Sequence, residues 1–130
     1  MLIKDVRQTY DAIQGIMNKK LPIRMAFAIQ KNAKLFREIV EFADNRQNEI
    51  VQKYAKRDES GKYVMTEDGE GVMIEDQESF IDEMDELAKT DMPLEFLKIA
   101  MSDVERCDED RFDSLSPADL GAIDEMIEGE

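Results

Sequence analysis

Pro22-Ile-Arg-Met-Ala-Phe-Ala-Ile-Gln-Lys-Asn-Ala-Lys-Leu-Phe-Arg-Glu-Ile-Val-Glu-Phe-Ala-Asp-Asn-Arg-Gln-Asn-Glu-Ile-Val-Gln-Lys-Tyr-Ala-Lys-Arg57 runs from one proline without a second proline or any glycine. Within it Ala26, Ile29, Ala33, Phe36, Val40, Ala43, Gln47, Ile50 and Tyr54 alternate in steps of three and four, the spacing that lines one side of a helix. The pattern predicts a long helix over 22–57, with Pro22 at its first turn and Gln47 as the single polar break in a heptad seam. A second stripe, Ala28, Leu35, Ile39 and Phe42, accompanies the seam only as far as Asp44. The first two-thirds of the helix is therefore expected to be buried on two sides. Its last third carries a narrow stripe that covers one neighbour, as in a two-helix arm. At 1.5 Å per residue such a helix is roughly 50 Å long.

Working outward, Ile3, Val6, Tyr10, Ile13 and Met17 predict a helix over 3–18, ended by the polar Asn18-Lys19-Lys20 and by Leu21-Pro22. On the other side, Glu59-Ser60-Gly61 stops the long helix. Tyr63-Val64-Met65 and Val72-Met73-Ile74 then flank an Asp-Gly turn, which predicts a short β-hairpin over 63–74. A helix over 77–89 follows, with Phe80, Ile81, Met84, Leu87 and Ala88 inward. Glu78, Asp82 and Glu86 repeat at spacing four on its outer side, which opposes an isolated helix. Arg37, Arg46 and Lys53 beside the long helix's seam answer those charges, so the two helices are expected to pair antiparallel. The segment 94–101 reads equally as strand or helix, and Cys107 to Ser114 as an acidic loop. Ser116-Pro117 opens a last helix over 117–128, with serine at the N-cap and proline at the first position. The expected fold class is mainly α with a small β element (α+β). It comprises an antiparallel helical hairpin built on one long helix, a short β-hairpin and a C-terminal helix, in a single domain spanning 1–130.

The composition narrows the function. There is no histidine, which removes the commonest general base and the commonest metal ligand together. Cys107, the one cysteine, stands among Glu105, Asp108, Glu109 and Asp110, whose charges oppose a reactive thiolate. Gly61, Gly69 and Gly71 fit neither phosphate-loop pattern, and no nucleophile elbow occurs. Carboxylates are dense in Thr66–Asp76 and Asp108–Asp113, yet neither stretch has the spacing of a calcium loop. No cofactor and no metal site is expected, and the chain does not read as an enzyme. Nine methionines are shared between core spacing, as at Met17, Met84 and Met126, and less regular segments, where they suit adaptable surfaces.

The net charge of −14 is unevenly placed. Residues 1–57 carry twelve cations and six anions, and residues 58–130 five cations and twenty-five anions. Free nucleic acid and anionic membranes are repelled by the acidic half, and a basic protein is attracted. No apolar run is long enough to span a membrane and no secretory leader is evident. With no disulfide either, the cytoplasm is the expected compartment.

The order of motifs resembles a family of small bacteriophage and prophage proteins of unknown function. The resemblance rests on Leu21-Pro-Ile-Arg-Met-Ala-Phe-Ala-Ile-Gln-Lys-Asn32, the helix end Lys53–Gly61, the acidic Glu78–Leu87 and the closing Leu115-Ser-Pro-Ala-Asp-Leu120. The Asp-rich stretch at 108–113 departs from that pattern. The resemblance implies a phage origin, action in the host cytoplasm and no catalytic residues. The helix–hairpin–helix order is also similar to prefoldin, as an analogy of architecture alone. Two readings of function follow. One is a protein–protein interaction module of phage assembly, an adaptor or chaperone-like subunit, self-associating or paired with another protein, with Gln47 setting the register of its seam. The other is an acidic anti-defence protein that presents Asp82, Glu83, Asp85, Glu86, Asp108, Glu109, Asp110 and Asp113 to a basic nucleic-acid-binding host protein.

Overall fold

The computed structural model describes residues 1–128, and five α-helices organise them. They are α1 (Ile3–Met17), α2 (Ile23–Tyr54), α3 (Gln77–Ala88), α4 (Met101–Arg106) and α5 (Pro117–Ile123), the last continued by a 3-10 turn at Asp124–Met126.

α2 is the axis. Met25, Ala28, Ile29, Asn32, Ala33, Phe36, Ile39 and Ala43 are all buried, so its first two-thirds is covered on two sides. Beyond Ala43 only Ile50 is buried within the helix. α1 lies antiparallel on the first part: Arg7 near its start pairs with Asp44, while Gln14 and Met17 near its end lie beside Gln30 and Lys34. Its buried face is Ile3, Val6, Ile13 and Ile16. The expected inward Met17 is exposed, because Ile16 already completes the stripe one residue before the helix ends. The other side of α2 is covered by the chain after α3. Ile99, Cys107, Ile123 and Met126 join the same buried cluster, and the Phe96 ring stacks on Phe36 with centroids 5.5 Å apart.

α3 lies antiparallel on the last third of α2. Phe80 meets Tyr54 edge-on at 6.2 Å, and Leu87 lies beside Phe42, Arg46 and Ile50. None of its residues is fully buried, as expected of a helix with a single neighbour. Its C-terminal end is tied to the start of the chain, where the Ile3 amide donates to the Thr90 carbonyl at 3.0 Å and the Met92 amide to the Met1 carbonyl at 2.8 Å.

Several expectations change. α2 stops at Tyr54 because residues 55–57 turn extended and bond to the segment that follows: Ala55 bridges Ile74 and Arg57 bridges Tyr63. The expected hairpin over 63–74 consists of turns and isolated antiparallel bridges, Met65 with Val72 among them, and not of regular strands. Gly61 and Gly69 take φ of 83° and 71°, which only glycine adopts without strain, and Asp58 and Asp68 accept the loop amides around them. The segment 94–101 is neither strand nor helix for most of its length. Ile99 makes one parallel bridge to Ile127, and α4 begins at Met101. Gln47 is exposed and is not buried at a seam within the chain. The buried polar side chain of α2 is instead Asn32, fully covered, which donates Nδ2 to the Leu97 carbonyl at 2.9 Å and accepts the Leu97 amide at 2.8 Å.

α5 begins as its sequence predicts. Ser116 Oγ accepts the Asp119 amide at 3.1 Å and Asp119 accepts the Ser116 amide at 3.0 Å, a reciprocal capping box behind Pro117. The helix ends at Ile123, short of the expected 128, because the chain turns extended at Ile127: the Ile99 amide donates to the Met126 carbonyl and the Glu128 amide to the Ile99 carbonyl. Ser116→Ala is expected to lower stability by about 1 kcal/mol, the usual worth of such a cap. Chemical denaturation at neutral pH checks it, and an unchanged midpoint would mean the cap contributes nothing. The amide of Ser116 first, and Lys19 after it, hold the Asp119 carboxyl below its ordinary range. The carboxylate's contribution is therefore present above the unfolded pKa and is lost as pH falls through the folded one.

Candidate functional site

Residues 63–82 contain seven carboxylates and no lysine or arginine. All seven, Glu67, Asp68, Glu70, Glu75, Asp76, Glu78 and Asp82, are exposed. Their backbone is shaped by the 66–71 turn, by the bridges to residues 55 and 57, and by the start of α3. Asp76 caps α3 by accepting the Ser79 amide at 3.1 Å, and that bond holds its carboxyl below the ordinary range. The cap orients the first turn so that Gln77, Phe80 and Ile81 face Thr66, Val72, Met73 and Ile74 across a groove of about 350 Å³. Ile81 is 60% exposed and Met73 41%. The floor is fixed by Phe80 against Tyr54, and by Glu83, which accepts from Lys53 Nζ at 2.6 Å and from the Tyr54 hydroxyl at 2.9 Å. Lys53 chiefly, and Tyr54 after it, hold the Glu83 carboxyl below its ordinary range, and the same bonds raise the Lys53 ammonium and the Tyr54 phenol. An apolar trough results, in a neighbourhood where the seven carboxylates of residues 63–82 outnumber the cations Lys56, Arg57 and Lys62 of the segment bonded to it. It suits a cationic partner that offers an apolar side chain.

The eight acidic residues singled out by sequence divide into two groups. Asp82, Glu83, Asp85 and Glu86 lie on α3, beside Arg46 to Lys53. Asp108, Glu109, Asp110 and Asp113 lie near the start of α2, where Asp113 accepts the Lys20 amide at 2.7 Å and returns its own amide to the Lys20 carbonyl at 2.9 Å. Some 27 residues of helix separate Ile23 from Ile50, about 40 Å at 1.5 Å per residue, so the two groups do not make one surface. Half of the eight are engaged. Glu83 holds Lys53 and Tyr54, Asp85 pairs with Lys89 at 2.8 Å, Glu109 pairs with Arg106 and Arg111 at 3.3 and 3.4 Å, and Asp113 clamps the α1–α2 turn. Asp82, Glu86, Asp108 and Asp110 are exposed and make no ion pair among the described residues. Of the cations expected to answer α3, Lys53 does so directly. Arg46 pairs with Glu49 on its own helix and favours the charged Glu83 from nearby, whereas Arg37 lines the α1–α2 groove.

Sequence reasoning missed the apolar lining by placing Ile81 inward with Phe80. Adjacent helical residues point about 100° apart, so one neighbour cannot cover both. A larger groove of about 580 Å³ between α1 and α2 is lined mainly by polar tips, among them Gln14, Asn18, Gln30 and Arg37. It offers less for an apolar anchor. Cys107 is buried, its Sγ 3.6 Å from the Met25 sulfur. Burial first, then Asp108 and Asp103, push its thiol above the ordinary value, the reverse of an activated nucleophile. Among the described residues no cluster of carboxylate and thiol side chains converges as a metal site, and no helix is long and apolar enough to cross a membrane. No family model, no curated protein and no solved structure matches the chain.

Proposed function

We propose that this chain is a non-enzymatic, phage-encoded protein–protein interaction module, an assembly, adaptor or chaperone-like component, that holds a basic, apolar segment of its partner in the groove between residues 66–74 and α3. The observation that carries the reading is the pairing of exposed Ile81 and Met73 with the seven carboxylates of residues 63–82, which outnumber the nearby cations Lys56, Arg57 and Lys62. The phage origin rests on the motif resemblance. A synthetic amphipathic helix of leucine and lysine is the probe that tests the groove. Ile81→Gln is expected to weaken its binding about tenfold, since seating an isoleucine is worth roughly 1.5–3 kcal/mol and each 1.4 kcal/mol is tenfold. Titration by fluorescence anisotropy reads it, and unchanged affinity in the variant overturns the groove as the binding site.

A second reading is favoured by the exposed carboxylates of Asp82 and Glu86 on α3, which make no ion pair among the described residues. In it the protein is an acidic anti-defence factor that masks a basic host nucleic-acid-binding surface by charge. Binding then falls steeply with salt, Asp82→Lys with Glu86→Lys abolishes it, and Ile81→Gln leaves it unchanged. A groove partner instead retains its apolar share of affinity at high salt.

A further inference from the structure

The opposite end of α2 carries the converse surface. Residues 19–37 contain six cations, Lys19, Lys20, Arg24, Lys31, Lys34 and Arg37, and no carboxylate. Ile23 and Phe27, one helical turn apart, stand out from this stretch at 87% and 54% exposure. Lys31 and Lys34 continue the same side of the helix, and the Lys31 ammonium lies 5.5 Å from the centroid of the Phe27 ring. This is an apolar ridge with cations beside it, where the distal groove is an apolar trough with a net acidic surround. On the Arg24 side the ridge adjoins the acidic 108–113 loop, where Glu109 is held by Arg106 and Arg111 while Asp108 and Asp110 make no ion pair among the described residues, so the cationic flank is the Lys31 and Lys34 side. On the Lys31 and Lys34 side the cations make no ion pair among the described residues.

We infer that the occupant of the distal groove is a second copy of this chain, which inserts its Ile23–Phe27 ridge between Met73 and Ile81 and sets Lys31 and Lys34 against the acidic surround. The inference rests on the groove being the binding site. Shape and charge match in kind: ridge to trough, apolar to apolar, cationic flank to net acidic surround. A chain cannot satisfy its own groove, because the ridge and Tyr54, which meets the groove's Phe80 edge-on, lie about 40 Å apart along one rigid helix. The contact joins two different surfaces, so each copy keeps a free ridge or a free groove until a ring, a reciprocal pair or an open chain forms. Association is therefore concentration-dependent, and it weakens with salt to the extent that the rim contributes.

Two exposed substitutions test it on the full-length protein. Ile23→Asp removes the ridge and, at the first position of α2, places an anion where the helix dipole favours one. Ile81→Gln removes the apolar seat with a good helix former on an exposed face. Circular dichroism checks that both variants fold. Sedimentation velocity at low salt is expected to show wild-type protein growing beyond monomer with concentration and each variant alone remaining monomeric. An equimolar mixture of the two variants is expected to form a one-to-one complex and nothing larger, since only one intact ridge and one intact groove remain. A mixture that stays monomeric, or wild-type association that survives both substitutions, overturns the inference. Wild-type protein that is monomeric at millimolar concentration yet binds the leucine–lysine helix overturns self-association and leaves the groove standing. Wild-type protein that neither associates nor binds that helix overturns both.

Discussion

Phe36→Ala is expected to lower the stability of the folded protein by about 4 kcal/mol, the usual loss for deleting a fully buried aromatic ring. Phe36 has no exposed surface and sits where three separate parts of the chain meet α2. Phe96 stacks on it at 5.5 Å with 22° between the ring planes. Thr9 of α1, Ala122 of α5 and Met126 of the turn that follows it line the same small cavity. Removing the ring leaves a void bordered by segments that no local bond can draw inward, so relaxation is limited and the cavity remains. Phe36→Leu keeps most of the volume and is expected to lose less than about 1.5 kcal/mol. The denaturant midpoint of each variant decides the matter. A loss below about 1 kcal/mol for alanine would mean that the centre of the core lies elsewhere. Binding of the leucine–lysine helix should be unaffected by Phe36→Leu, because the groove is built from residues 66–74 and the start of α3, and Phe36 lines no part of it.

The separation between the end of α2 that is covered on two sides and the end beside the acidic groove was partly legible in the sequence. The seam of α2 is readable because Ile29, Ala33, Phe36, Ala43 and Ile50 repeat with the period of the helix, and periodicity is a local property. The loss of the second stripe near Asp44 likewise anticipates where two-sided cover ends. What periodicity does not reveal is which segment supplies the second cover. Residues 93–99 run irregularly across the helix, and their backbone needs partners that only a polar side chain can give. Asn32 therefore interrupts the apolar pattern at a position that is buried, while Gln47, which sits within the pattern, is exposed. Residues 55–57 show the same limit. Lys56 and Arg57 continue a helical charge pattern, but the amide of Lys56 bonds to Met73 and its carbonyl to Val64, contacts made with residues not yet encountered along the chain. For the candidate site, the acidic content of α3 was plain. Its division from the 108–113 group by most of the length of α2, and the exposure of Ile81, follow only from how α3 is rolled against α2 by Glu83 on Lys53 and Tyr54.

Asn32 carries the second large effect. Its amide is fully buried and answers both backbone groups of Leu97, as a neighbouring strand would. The segment it holds brings Phe96 onto Phe36 and leads into Ile99, whose amide in turn bonds to Met126 at 2.8 Å. Asn32→Leu keeps the volume and removes both bonds, leaving the Leu97 N–H and C=O without their partner in a partly buried place. A loss of roughly 2–3 kcal/mol is expected, the penalty for orphaned polar groups. Asn32→Asp separates the two bonds. An aspartate still accepts the Leu97 amide, but it cannot donate to the Leu97 carbonyl while ionised, and its charge is desolvated. Burial raises such a carboxyl's folded pKa above its unfolded one. The deficit of N32D relative to the wild type is therefore full above the folded pKa and shrinks as pH falls through it, where the protonated acid regains the missing donor. Denaturation midpoints of both variants measured at neutral and mildly acid pH check this. A deficit of N32D that does not shrink with acid, or an Asn32→Leu protein as stable as the wild type, would remove Asn32 from the role of joining the C-terminal segment to α2.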